Sequence, residues 1–339
     1  MSTWDHNSIS VILLGAGFSA AATDGKLPLM CSFFDFLDQK YEPALFEFIS
    51  CVAKDFRKAN VEKVLILLEQ INTSPDALLE GWGEKWKKDA PLLRRELLFY
   101  ILRRLKQAVG IHRDNWAAKF LAGTGPATTI ISMNYDNIAE RILSYIAHSV
   151  MNRACPHCKM SQLLQKACSC SGREQIIERD WRGSLIKLHG SIAWRRCVNT
   201  KCCNYECLVA DKQCRPFEPH ACPHCLQSCE PVMIMPTMSK HLDEIREIST
   251  MWNAARMAIA DAESIVIFGF SMPTSDMLLI EMLRSAIHAS RMLRRVAVID
   301  LDPDSVMERF EQCIPNDLKV EYSPFMVTPG ISPDWFVTT

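Results

Sequence analysis

Short apolar runs alternate along much of the chain with stretches in which apolar residues recur at helical spacing. The runs cover residues 11–14, 128–132, 231–236, 264–268 and 295–300. Helical spacing follows over residues 138–150, 242–260 and 276–289. Buried strands that alternate with helices predict a parallel sheet with helices on both faces, so we expect an α/β fold.

Residues 40–120 carry no strand pattern. Apolar residues at helical spacing are separated by charged ones in Val61–Leu68 and again in Leu97–Leu105. This pattern predicts a helical module inserted into the α/β fold. Trp82 and Trp86 lie among lysines and are interpreted as core residues beside a solvated helix face.

The first apolar run ends in a glycine turn, Gly15-Ala16-Gly17-Phe18-Ser19, and a helix of small residues begins at Ala20. A buried strand, a tight glycine turn and a helix form the phosphate cradle of a Rossmann-like, doubly wound sheet. The loop containing Pro28 is expected to return toward this turn. A plain strand–helix turn remains the alternative interpretation.

Polar residues follow the second apolar run, where Asn134-Tyr135-Asp136 precedes a helix. An open parallel sheet presents ligand-facing groups at the carboxyl ends of its strands. A helix cap at Asp136 or Asn137 would explain these residues without any ligand.

The chain contains 15 cysteines, 12 of them between Cys155 and Cys229. Cys-Pro-His-Cys occurs twice, at residues 155–158 and 222–225. Clustered Cys-x-x-Cys pairs are typical of structural Zn²⁺ sites with four thiolates, and free buried cysteines explain them poorly. We expect one zinc site that includes Cys197, Cys202, Cys222 and Cys225, with Cys203, Cys207, Cys214 and Cys229 as further candidates for completing it. A second zinc site would use Cys155, Cys158, Cys168 and Cys170.

Composition narrows the classes of function. The net charge is −1 and the sequence pI is about 6.7, so no global electrostatic case for nucleic-acid binding exists. Apolar runs are too short for a membrane helix, and the first residues do not resemble a signal peptide. Clustered cysteines without a secretory signal favour a reducing compartment, so we expect a cytoplasmic protein that contacts neither membrane nor nucleic acid.

Four motifs in one order resemble the sirtuin superfamily. They are Gly15-Ala16-Gly17-Phe18-Ser19, Asn134-Tyr135-Asp136, Lys187-Leu188-His189-Gly190-Ser191 and Gly269-Phe270-Ser271, and the predicted zinc ribbon follows the third. The chain departs from protein-deacylating sirtuins: Met133 stands where they carry Gln, and no Phe-Gly-Glu follows the ribbon. Asn-Tyr-Asp, Leu-His-Gly-Ser with a following tryptophan, and Gly-Phe-Ser with Pro273 and Asp276 look like the sirtuin-like, NAD-hydrolysing proteins of prokaryotic antiphage defence.

The resemblance implies a site for NAD⁺ as substrate. His189 is the expected proton acceptor, since an ordinary imidazole titrates near ~6.5; a hydrogen-bonded core histidine is the alternative. Asn134 would orient water or ribose, and Asp136 would hold the carboxamide or order its loop. Ser19 and the backbone of Gly15, Ala16 and Gly17 would carry the phosphates. The adenosine half and the rest of the site would be lined by Phe18, Pro28, Gly269, Phe270, Ser271 and Asp300.

The leading hypothesis is an NAD⁺ glycohydrolase that yields nicotinamide and ADP-ribose. A toxic effector of this kind is expected to be restrained by homo-oligomerisation or by a regulatory partner, such as a defence-system ATPase or sensor. A protein deacylase or ADP-ribosyltransferase is the first alternative, and a non-catalytic subunit that senses NAD or ADP-ribose is the second. The expected division is an NAD-binding domain (1–39, 121–150, 181–195 and 231–339), a helical insert (40–120) and a zinc module (151–180 and 196–230).

Overall fold

The structure is a computed structural model, and it describes residues 10–29, 32–73, 82–106, 115–124, 128–143, 184–202, 205, 208–210, 221–234, 246–290 and 292–327. The strands are β1 (Ser10–Leu14), β2 (Thr128–Ser132), β3 (Ser184–Lys187), β4 (Gly190–Cys197), β5 (Leu208–Ala210), β6 (Cys229–Met233), β7 (Ser264–Phe268), β8 (Arg295–Asp300) and β9 (Glu321–Met326). The helices are α1 (Ala16–Ala22), α2 (Pro43–Val52), α3 (Val61–Thr73), α4 (Trp82–Lys106), α5 (Trp116–Ala122), α6 (138–143), α7 (Arg246–Ala260), α8 (Met277–Ala289) and α9 (Pro303–Glu311).

Six strands form one sheet in the order β3-β2-β1-β7-β8-β9, and every neighbouring pair is parallel. Counted along this sheet alone, the order is that of a Rossmann fold, which reverses direction beside its first strand. Leu14 at the end of β1 lies opposite Ser132 on β2 and Phe268 on β7. The carboxyl ends of the three central strands therefore meet at one edge, where such sheets bind ligands.

Side chains of β1 alternate between two cores, as a doubly wound sheet requires. Val11 and Leu13 join the cluster that contains residues of α7 and α8. Ile12 and Leu14 face the opposite cluster, together with residues of α1, α5 and α6. Both faces of the sheet are covered, so the predicted α/β fold is confirmed.

A separate apolar core lies within α2, α3 and α4. Phe48 and Trp86 meet edge to face at 5.1 Å, and the Tyr100 ring stacks on Phe34 at 5.6 Å. No strand occurs in the described part of residues 40–120, as the sequence predicts. Helix α5 behaves differently, since Trp116 stacks on Phe268 of the sheet at 5.3 Å. The division into domains stays a prediction.

A second, antiparallel sheet has the order β5-β4-β6. The run at residues 231–236 is counted among the strands that predict the parallel sheet, and this part of the prediction is wrong: its described part contributes to β6, which pairs antiparallel with β4 in the small sheet. Strands β3 and β9 at the two edges of the parallel sheet are not predicted, because Ser184–Lys187 is short and Glu321–Met326 is largely exposed. No described helix is long and apolar enough to cross a membrane.

Candidate functional site

Two glycine loops pack against each other at the point where the strand order reverses. Gly15 donates its N–H to the Phe268 carbonyl at 3.0 Å, and Gly17 donates to the Gly269 carbonyl at 2.9 Å. A Cβ added at Gly17 would lie 2.7 Å from the Gly269 Cα. The glycines are therefore required by the contact between the loops, and the Gly17 N–H already has a protein acceptor.

Gly269 has no alternative to glycine at this point. Its φ is +61°, a left-handed conformation that side chains rarely adopt, and an added Cβ would clash with the backbone nitrogen of Phe18. The loop after β7 is thus fitted to the start of α1 by backbone contact alone.

The remaining residues predicted to bind NAD differ in exposure. Ala16 and Pro28 are half-buried, and Ser271 is exposed beside the half-buried Gly269. Asp300, half-buried at the end of β8, accepts a hydrogen bond from the Asp302 N–H at 3.2 Å. Phe18 and Phe270 instead bury their side chains in the two cores of the sheet. Only the backbone of these two phenylalanines remains for ligand contact.

Asn134 connects the loop after β2 to the glycine turn. Its side-chain amide donates to the Gly15 carbonyl at 2.7 Å and to Ser19 Oγ at 2.9 Å. Both partners belong to the motif that the sequence assigns to phosphate binding. Asn134 and Ser19 are buried, so this contact fixes the two loops relative to each other.

Asp136 belongs to a buried charged cluster beneath the same loop. Lys187 Nζ pairs with Glu140 Oε1 at 2.8 Å and donates to the Asp136 carbonyl oxygen. The Asp136 carboxylate accepts the Ile138 N–H at 2.9 Å, which is the helix-cap contact considered as an alternative role. Burial raises the pKa of Asp136, and the charge of Lys187 opposes that shift.

His189 follows β3 and is held at both ring nitrogens. Nδ1 lies 3.1 Å from the Met133 carbonyl oxygen, and Nε2 lies 3.0 Å from Asp276 Oδ2. The exposed fractions of the His189 and Asp276 side chains are 6% and 1%. Because Met133 directly precedes Asn134, these contacts bring His189, Asn134 and the glycine turn into one connected site.

Sequence reasoning gives Asp276 no role, although it is the partner of His189. It lies 87 positions farther along the chain and is brought in by the loop between β7 and α8. Its Oδ1 also accepts the Leu279 N–H at 3.3 Å, so it caps α8. The signal in the sequence is an aspartate that follows Gly-Phe-Ser and precedes a helix, which by itself indicates only a cap.

Tyr135 and Glu62 lie near the His189–Asp276 pair. The Tyr135 hydroxyl donates to the Ile234 carbonyl at 2.6 Å, and burial raises its pKa well above the ordinary value. Ser275 Oγ donates to Glu62 Oε2 at 2.7 Å. Because Glu62 lies in the first turn of α3, this hydrogen bond connects the α2–α4 helices to the loop that carries Asp276.

Four cysteines form the candidate metal centre. The Sγ atoms of Cys197, Cys202, Cys222 and Cys225 all lie within 4.8 Å of one another. Two of the separations are 3.6 Å (Cys197–Cys225) and 3.8 Å (Cys202–Cys222). A tetrahedral Zn²⁺ with bonds of ~2.3 Å to sulfur requires separations of about 3.8 Å, so this donor set fits zinc.

The thiols of this cluster titrate differently from ordinary cysteines. Burial raises the pKa of Cys197 to about 12. Burial also acts on Cys222, but the backbone N–H groups of Cys225 and His224 outweigh it and lower the pKa to about 6. A thiolate at this position is the form that binds a metal ion.

Cys229 lies on β6 opposite Cys197 and is buried beside the four, but it is not one of them. The four cysteines of the predicted second site, Cys155, Cys158, Cys168 and Cys170, lie outside the described residues. So do three alternative ligands of the first site, Cys203, Cys207 and Cys214.

Comparison with known proteins finds a distant likeness. No protein-family model matches the chain, and a search of curated proteins finds no match. Among solved structures, the chain is similar to a crystal structure of Sir2 in complex with the inhibitor EX-527, 2′-O-acetyl-ADP-ribose and a deacetylated p53 peptide. The identity is 13% and the TM-score 0.34, over 94% of this chain and 88% of that chain.

Proposed function

We propose that this protein is an NAD⁺ glycohydrolase. The observation that carries the proposal is the contact network at the reversal point of the sheet, where Asn134 binds Gly15 and Ser19 of the glycine turn and His189 lies against Met133, the residue before Asn134. A Rossmann strand order binds dinucleotides at this point, and it supplies polar groups from the ends of three adjacent strands. A histidine in such a group is suited to accept a proton from an attacking water or a ribose hydroxyl.

The chemistry assigns a role to each part. Hydrolysis breaks the bond between nicotinamide and the ribose through an oxocarbenium-like transition state, and water supplies the new oxygen. Asn134 would hold the loops that enclose the ribose, and His189 would receive the proton of the water. Ala16 would face the phosphates, because Gly15 and Gly17 donate their N–H groups to protein carbonyls and Ser19 is buried. Gly269, Ser271 and Asp300 would face the adenosine half.

Product analysis tests the proposal. Purified protein is incubated with NAD⁺, and nicotinamide and ADP-ribose are separated by chromatography. We expect equal amounts of both products from the wild type and at least about a 100-fold loss of rate in His189→Ala. His288→Ala, which changes an exposed histidine on α8, is the matched control and should keep the wild-type rate.

Three other outcomes would contradict the proposal. NAD⁺ consumption that requires an acetyl-lysine peptide would identify a deacylase, and transfer of ADP-ribose to protein would identify a transferase. Turnover that survives His189→Ala would remove the proposed site.

A non-catalytic subunit that binds NAD or ADP-ribose is the second candidate. The observation that favours it is that both ring nitrogens of His189 already have protein partners, and that the ring is nearly buried. Calorimetry would show nucleotide binding with no product formed.

The proposal includes a biological setting. An enzyme that destroys NAD⁺ must be restrained, so we propose a cytoplasmic antiphage effector controlled by self-association or by a regulatory partner, such as a defence-system ATPase or sensor. The thiolate cluster would hold a structural zinc in the proposed cysteine-rich module, and the α2–α4 cluster is the proposed contact surface. Sedimentation with and without NAD⁺ measures the oligomeric state, which is compared with the rate of NAD⁺ hydrolysis. Full activity of an isolated monomer would contradict this part of the proposal.

A further inference from the structure

The contacts of the His189 ring determine how many protons it carries. The Met133 oxygen that faces Nδ1 is a carbonyl, which can only accept a hydrogen bond, so Nδ1 must carry a hydrogen. Nε2 lies 3.0 Å from Asp276 Oδ2, and an ionised carboxylate also only accepts. A ring that donates at both nitrogens is an imidazolium.

The surroundings of Asp276 favour its ionised form. Its other oxygen, Oδ1, accepts the Leu279 N–H at the start of α8, a helix of 13 residues. The N-terminus of a helix carries a partial positive charge that stabilises a carboxylate. A carboxylate held by a helix on one side and by an imidazolium on the other has both of its oxygens satisfied.

The other groups near His189 do not replace Asp276. From the loop after β2, Tyr135 approaches with ring centroids 6.1 Å apart, and burial keeps this phenol protonated. From α7, Trp252 approaches at 6.4 Å and does not titrate. The charge of Glu62 on α3 also raises the pKa of Tyr135. Glu62 accepts a hydrogen bond from Ser275, the residue before Asp276. Among the described residues, Asp276 is the carboxylate in direct contact with the ring.

We propose that Asp276 is a positioning residue that holds His189 as an imidazolium in the ligand-free protein, with Nε2 directed at the carboxylate. The inference deepens, and rests on, the proposed function of the same site. An imidazolium cannot accept a proton, so the resting site is blocked as a base. His189 becomes a base when Nε2 transfers its proton to solvent water, which leaves a neutral imidazole whose Nε2 can turn from Asp276 to the substrate.

Asp276→Asn isolates the charge while it keeps the shape. The asparagine oxygen still accepts the Leu279 N–H, and its amide group donates to Nε2. Nε2 must then be an acceptor, so His189 becomes a neutral imidazole with its hydrogen on Nδ1. The contacts of Nδ1 with Met133, of Nε2 with residue 276 and of the Leu279 N–H each have a counterpart in this variant.

Nitrogen NMR of protein labelled with ¹⁵N-histidine tests the inference directly. His189→Gln identifies the His189 signals among those of the 9 histidines. At neutral pH we expect both ring nitrogens of His189 to be protonated in the wild type, and Nε2 to be unprotonated in Asp276→Asn. Asp302→Asn, which changes the equivalent cap of α9, is the matched control and should leave the His189 signals unchanged.

The rate provides a second measurement. In Asp276→Asn the acid limb of kcat/KM for NAD⁺ should shift to lower pH, because the neutral imidazole forms there. A neutral His189 imidazole in the wild type overturns the inference even if NAD⁺ is hydrolysed. Absence of turnover in every variant overturns the proposed function and leaves the NMR result to stand or fall by itself.

Discussion

The edge of the parallel sheet and the cysteine cluster both hold loops in fixed positions, but by different interactions. At the sheet edge, loops from β1, β2 and β7 are held by backbone contact between glycines and by buried hydrogen bonds of Asn134. At the cluster, the described residues that pack together are cysteines. The first region depends on shape and on paired polar groups, whereas the second offers four thiols that could hold a metal ion.

This difference determines what each region tolerates. Four thiols offer little apolar area to bury, so under the proposed zinc site the metal ion would stabilise the described part of the cluster. The sheet edge has a large apolar core on either side. Substitutions that add a Cβ at a glycine or leave a buried charge unpaired are therefore the ones expected to destabilise it. Chelation should therefore unfold the cysteine cluster and leave the sheet edge folded. Point variants of the sheet edge should not affect metal binding.

Metal removal should have the largest effect. Structural zinc contributes on the order of 10 kcal/mol to the folding of small zinc domains, so chelation should unfold the region of β4–β6 around the cluster. Limited proteolysis should then cut near residues 197–229 while the parallel sheet stays resistant. Cys222→Ser should bind one zinc fewer than the wild type by elemental analysis.

Cys229→Ser is the control for this measurement. Cys229 is buried beside the cluster but lies outside the four, so its zinc content should equal that of the wild type. Equal zinc content in Cys222→Ser and the wild type would remove the metal centre.

The two regions also differed in how far sequence alone could predict them. The ligands Cys222 and Cys225 lie in one turn, and local spacing is sufficient to identify a metal knuckle. The glycine turn and Asn134 follow strands with strong apolar patterns, so their place at the sheet edge could be predicted as well. Asp276 could not, because its role depends on the pairing of β7 beside β1 and on a loop conformation that no local pattern encodes.

Gly269→Ala should have the next largest effect. Its left-handed backbone alone costs about 1–3 kcal/mol for alanine, and the clash with the Phe18 backbone adds to this, so we expect a total above about 4 kcal/mol. Urea unfolding followed by circular dichroism measures the loss.

Gly25→Ala separates strain from clash. Gly25 has a φ of +76°, but an added Cβ there meets no atom within 4 Å, so only the backbone cost of about 1 kcal/mol should appear. Equal losses in the two variants would show that contact between the loops does not matter.

Lys187→Met should cost about 3–5 kcal/mol, since it leaves Glu140 buried without its cation. The same urea titration measures it. The double variant Lys187→Met/Glu140→Gln should recover part of the loss, because residue 140 then carries no charge that lacks a partner. If the double variant is no more stable than the single one, the charge is not the cause.

Asp136→Asn should have the smallest effect, within about 1 kcal/mol, and it should depend on pH. Burial raises the pKa of Asp136, so the folded protein favours the protonated carboxyl. The contribution of this group to stability is then fully present below the ordinary carboxyl pKa and is lost as the pH rises through the raised value. Asparagine stays neutral throughout and retains an oxygen for the Ile138 N–H. The stability of Asp136→Asn relative to the wild type should therefore improve from acid to neutral pH in parallel urea titrations, and a change in the opposite direction would mean that the Lys187 charge outweighs burial at the sheet edge.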